Sequence, residues 1–254
     1  MRIRAIAVNT FREAIRDRVL YSLIFFALLM IGSSALLGTL TIGEQVKVIK
    51  DLGLASISIF GLFIAIFVGI GLVYKEIERR TIYTIIAKPI QRYEFLVGKY
   101  LGLVLTLLVE VTVMALGFSI FVTLYEGFFD PALLKAILLT LFELMVVTAI
   151  AVLFSSFSTP ALSGMFTLGC YVIGHLTEDL RNFGAASNNI AAERLTQFLY
   201  YLLPNLENFN VRGKVVHQIP VSGEYMAFAI LYGLLYLSLL LLVATMIFQS
   251  RDFK

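Results

Sequence analysis

Glu110 and Glu143 each stand inside a long apolar run. A carboxylate at mid-bilayer is costly and marks a functional group or a deliberate structural bond. Depth relates the two. Glu110 lies ten residues beyond Tyr100, and Glu143 lies eleven before Phe154. At ~1.5 Å per helical residue, both sit about 15 Å above the same membrane face. They are therefore expected to face each other or a common cavity. Two carboxyls that close do not both ionise, so one would keep its proton. Two roles stay open: lining a translocation path, with or without a response to protonation, or bonding to a Thr or Ser of a neighbouring helix as a staple.

Other chemistry is thinly represented. His175 and His217 are both expected on the outer side, without a matched carboxylate motif. Cys170 is the single cysteine, and no CxxC or Cys/His metal spacing exists. No catalytic residue and no metal ligand is expected. Gly98-Lys99 is the Gly-Lys pair nearest a helix, but Tyr100 follows it and Tyr93 stands where a phosphate-cradling loop needs glycine. No nucleotide cofactor is expected on this chain, so energy would come from a separate one. No aromatic or basic surface suggests nucleic acid.

The elements that position these groups read as membrane helices. Of 254 residues, 59% are hydrophobic and 15% charged, against about 25% charged in soluble domains. The charges gather in short segments. Six stretches approach the ~20 apolar residues of a span: 19–40, 52–74, 100–124, 132–154, 160–176 and 225–248. Backbone groups in lipid must pair internally, which selects helices, and the alternating ten-residue segments of a barrel are missing. The expected fold is an all-α integral membrane bundle of six spans, one domain over 1–254. Before the first span stands a helix over 3–18, with Ile3, Ile6, Phe11, Ala14 and Ile15 on one face. It is expected to lie at the membrane surface with its basic face toward anionic headgroups, as an anchor or a partner contact. The apolar run after it is too long for a cleavable signal.

Lysine and arginine set the orientation. Segments 1–18, 75–99 and 251–254 hold thirteen of them and the opposite loops six, which places both termini and 75–99 in the cytoplasm. Residues 177–224 then form a long outer segment. Within it, 190–203 carries an apolar helical face ended by Pro204, suited to the outer leaflet. Pro160 is expected at the first position of its helix, capped by Ser158 or Thr159. Ser58, Gly61, Ala65 and Gly69 form a small-residue ridge for a close helix seam. Lys135 is expected to snorkel.

Residues 75–99 hold the densest charge, KEIERRTIYTIIAKPIQRYEFLVGK. Mixed charge, an apolar stretch, a break at Pro89 and a helical restart suit a docking surface as well as a solvated loop. The order Glu78, Thr81, Pro89, Arg92, Gly98, Lys99 resembles the permease subunits of type-2 ABC exporters, the ABC-2 family. The 204–209 string PNLENF and the tail 248–253 are similar to that family too, and Arg80 departs from it where many members carry Gly. The resemblance implies that 75–99 is the coupling helix region, with Glu76, Glu78, Arg79, Arg80, Thr81, Pro89 and Arg92 facing an ABC ATPase. It implies two such ATPase subunits holding ATP and Mg, and a second permease copy or close paralogue. The competing expectation is a stand-alone ion-coupled carrier or a membrane enzyme.

Overall fold

The computed structural model describes residues 2–41, 43–78, 91–186 and 190–250, and the regular elements among them are all helical. In chain order they are α1 (Arg2–Ile15), α2 (Arg18–Gly38), α3 (Gln45–Glu78), α4 (Arg92–Glu126), α5 (Pro131–Ser155), α6 (Pro160–His175), α7 (Thr177–Ala186) and α8 (Ile190–Leu202). A 3-10 turn (Leu206–Phe209), α9 (Arg212–Val216) and α10 (Gly223–Ser250) follow.

Local chemistry sets the ends. Asp17 accepts from the Val19 N–H at 3.0 Å and caps α2, which is why α1 stops at Ile15 and not at residue 18. The Gln91 N–H donates to Glu94 Oε2 at 3.0 Å, starting α4. Gly127 closes α4 at φ +81°, a left-handed position that favours glycine. Asp130 caps α5 by accepting from the Ala132 N–H at 2.9 Å, with Pro131 in the first turn. Thr159 is the cap residue of α6, ahead of Pro160, but its side chain makes no capping bond.

Helices α3, α4 and α5 form the centre of an integral membrane bundle, with α2 against α3 and α4, and α10 against α5 and α4. Ile57, Ile64, Leu107, Met114, Leu139 and Val147 fill the space between them. Among the described residues, five helices are long and apolar enough to cross a membrane: α2, residues 45–71 of α3, α4, α5 and residues 223–249 of α10. The outer helices α2 and α10 expose Phe25, Phe26, Phe228, Leu235 and Met246, as lipid-facing surfaces do. The remaining expected span, α6, has 16 residues. That is about 24 Å, short of a ~30 Å hydrocarbon core.

The small-residue ridge of α3 packs inside the chain. A Cβ on Gly69 would meet the Ala151 Cβ at 3.1 Å, and one on Gly61 would strike the Leu144 side chain, both on α5. Helix α1 is less detached than a surface anchor. Its Ala7, Thr10 and Ala14 are buried. A Cβ on Gly98 of α4 would lie 2.8 Å from the Ile6 Cβ, and one on Gly102 would lie 2.5 Å from the Thr10 Cβ. Gly98 thus serves helix packing.

Candidate functional site

The bundle has two distinguishable ends. One, the terminal end, gathers the starts of α1 and α4 and the end of α10. The distal end carries α7, α8, the 3-10 turn and α9.

At the terminal end, Arg92 Nη1 donates to the carbonyls of Phe248 at 3.1 Å and Gln249 at 2.9 Å. These are orphan acceptors at the end of α10, and a cation there also meets the negative pole of the helix. The Phe95 and Phe248 rings stack at 6.0 Å beside them. Glu94 lies 3.8 Å from Arg2, and Lys99 lies 3.8 Å from Glu13, so the first turns of α4 tie α1 as well as α10. Of the expected coupling residues, Glu76 and Glu78 fall in the last turn of α3. Arg79, Arg80, Thr81 and Pro89 lie outside the described residues, as does the tail 251–254.

At the distal end, the long segment between α6 and α10 is more than a loop with one helix. Helices α7 and α8 pair with each other. The apolar face read for 190–203 is present on α8, where Leu195, Phe198 and Leu202 are exposed. Beyond Pro204 the chain enters the core: Leu206, Phe209, Val211 and Val215 are buried. Three tyrosines on α10 hold this entry. Tyr225 donates to the Asn208 carbonyl at 2.8 Å, Tyr232 accepts from the Asn205 N–H at 2.8 Å, and Tyr236 donates to the Leu202 carbonyl at 2.8 Å. Their spacings of seven and four put them on one helical face. Lys135 does not simply snorkel, because its Nζ donates to the Val221 carbonyl at 2.9 Å.

A cavity of about 360 Å³ lies between α3, α5, α6 and this entering segment. Ser58, Thr140, Glu143, Tyr171, His175 and Arg212 supply its polar wall, and Leu54, Val172 and Phe209 part of the apolar one. Glu143 stands twelve residues into the 25-residue α5, about 18 Å from either end. His175 Nε2 lies 2.9 Å from Glu143 Oε1, and His175 Nδ1 lies 3.1 Å from Glu207 Oε2 on the 3-10 turn. The Tyr171 ring meets the imidazole edge-on at 4.7 Å, with its hydroxyl 3.3 Å from Ser58 Oγ. Arg212 Nε lies 2.9 Å from Asp51 Oδ1 and closes one side. A carboxylate partner for His175 was not read from sequence. Its cues were Tyr171 one turn earlier on the same helix and Glu207 within the PNLENF string.

The two membrane glutamates are not brought together. Glu143 turns to His175, and not to a Thr or Ser. Glu110 is 4% exposed and its Oε2 has no hydrogen-bond partner. Rotation about each helix axis decides what a side chain meets.

A buried cation pins the distal ends of the central helices. Lys50 on α3 is 2% exposed, with Nζ 2.8 Å from Glu126 Oε1 and 2.7 Å from Asp130 Oδ2. Burial alone would raise the Asp130 carboxyl. The Lys50 ammonium and the Ala132 N–H outweigh it and hold the group below the usual carboxylate range.

A family model described as ABC-2 family transporter protein matches residues 4–253, nearly the whole chain. No curated protein matches it in sequence.

Proposed function

The chain belongs to the ABC-2 family of transporter proteins, and from that premise we propose that ABC ATPase subunits drive it through the 75–99 segment. Membership makes it the permease component of an ABC transporter, a multi-pass membrane protein that works with an ABC ATPase and is not a separate enzyme. The finer reading goes further. Both termini and 75–99 face the cytoplasm, α6 is the sixth crossing, and two permease copies or paralogues meet two ATPases that hold ATP and Mg. The distal cavity with Glu143 on its wall is the outer part of the substrate path.

The observation that supports this reading is the run of α3. It is a single helix of 34 residues, about 50 Å long, from the rim of the distal cavity to the start of the 75–99 segment. Leu54 and Ser58 on that helix line the cavity. A displacement of its far end by an ATPase therefore reaches the cavity wall without crossing a loop. Glu76, Glu78, Arg79, Arg80, Thr81, Pro89 and Arg92 are the proposed docking residues, and Arg92 also links that region to the last span. The test is charge reversal, Glu78→Lys with Arg79→Glu. The ATPase should fail to co-purify, or its ATP hydrolysis should no longer respond to the permease, while the bundle keeps its thermal stability. Intact co-purification and intact transport would reject the docking site.

A further inference from the structure

His175 is held by carboxylates on both of its ring nitrogens. A neutral imidazole carries one N–H, so one nitrogen would then point a lone pair at a carboxylate oxygen. The imidazolium has two N–H groups and satisfies both contacts with charge-assisted bonds. One proton on this ring thus decides whether α5, through Glu143, and the 3-10 turn, through Glu207, are both bonded to the end of α6.

Among the described residues that line this cavity, the other cation, Arg212, is committed elsewhere. From α6 itself comes Tyr171, and from α3 come Ser58 and Asp51. Arg212 on α9 is paired with Asp51. Asn210 steadies Glu207, donating from Nδ2 to Oε1 at 3.0 Å. Tyr225 on α10 is engaged with the Asn208 carbonyl, and Glu178 on α7 accepts from Asn205 Nδ2 at 3.3 Å. The route for a proton is graded: the Glu207 side chain is 43% exposed, His175 21% and Glu143 3%.

We propose that Glu143, His175 and Glu207 form a proton-binding site in which the bound proton latches the end of α6 to α5 and to the 3-10 turn. Losing that proton sets a lone pair against a carboxylate, frees one of the two contacts and lets the distal cavity widen. Proton occupancy then governs how readily the distal end opens. The inference stands on this geometry and not on the path reading above, so it is read out by distance and not by transport.

The full chain is placed in lipid nanodiscs with Cys170→Ser. Spin labels go on Asn182→Cys in α7, which follows His175, and on Gly213→Cys in α9, which follows the turn; both positions are exposed. Distances are measured by pulsed electron resonance at about pH 5.5 and about pH 8.5, either side of the ordinary histidine range. The acid sample should show one population, and the alkaline sample a second, longer one. His175→Gln, uncharged at both values, should give the same distribution at both. Glu207→Gln, which leaves the Glu143 contact in place, should lose most of the pH response even if His175→Gln fails to fold. An unchanged wild-type distribution, or a pH response of wild-type size in either variant, overturns the latch.

Discussion

Arg92 Nη1 donates to the Gln249 carbonyl at 2.9 Å, across 157 positions of sequence, and so fastens the first turn of α4 to the last turn of α10. The bond joins the later part of the 75–99 segment to the last span. Arg92→Ala should cost about 1 kcal/mol, below the ~1.5–3 kcal/mol of bonds to charged groups because these bonds are partly exposed, seen as a small fall in melting temperature in detergent. Arg92→Lys keeps the charge near the helix end but loses the planar fork, so it should recover only part of that loss. If Arg92→Ala matches wild type in stability, the contact is incidental.

Lys50 presents a harsher case. It is buried between Glu126 and Asp130, and Lys50→Met strands two carboxylates. Breaking a buried pair on one side costs about 3 kcal/mol or more, whereas replacing all partners is often tolerated. Lys50→Met should therefore be strongly destabilised, and Lys50→Met combined with Glu126→Gln and Asp130→Asn should regain much of the loss. Equal melting temperatures for the single and triple variants would show that the charges do not matter.

The same triad has a pH signature. Asp130 is held below its usual range in the folded chain, so it stabilises the fold above the unfolded carboxylate pKa of about 4. That contribution fades as pH falls through the lower folded value. Wild type should melt above Asp130→Asn at neutral pH, and the gap should close in acid below about pH 4. A gap that stays constant down to acid pH would assign the difference to shape and not to charge.

Helix α1 docks only because α4 has no side chain at Gly98 and Gly102. Gly102→Val would drive methyls into Thr10 and the Ala7 carbonyl. The expected result is an α1 that exchanges amide hydrogens fast while the exchange of α3 to α5 stays slow. Slow exchange of α1 in the variant would mean that the helix has another place to rest.

These three sites and the two membrane glutamates show what was legible beforehand. Periodicity and apolar length gave the long helices, since hydrophobic runs and a helix-starting proline such as Pro160 act locally. Glu110 and Glu143 were found because a carboxylate in an apolar run is conspicuous on its own. The long-range pairs were not legible, because His175 meets Glu143 32 positions away and Lys50 meets Asp130 80 positions away. Such contacts depend on the rotation of one helix against another, which no local pattern encodes. The entry of residues 204–216 into the core was hidden for a similar reason: its supports are tyrosine hydroxyls on α10 that read as ordinary aromatic positions of a span.

The two glutamates should now behave differently under the same substitution. Glu143 is bonded to His175, and Glu143→Gln weakens that charge-assisted bond by removing the carboxylate charge. Glu110 leaves Oε2 without a partner, so its carboxyl contributes little that an apolar group of similar size would not. Glu110→Leu should be neutral or slightly stabilising in a detergent melt, while Glu143→Leu should cost about 2 kcal/mol through the stranded imidazole. Transport separates them again. If the distal cavity is the path, Glu143→Gln should reduce cargo movement by the reconstituted permease and ATPase, and Glu110→Gln should leave it near wild type. Wild-type transport in both would remove the carboxylates from the path, and loss in Glu110→Gln alone would move the path to the α4 side of the bundle.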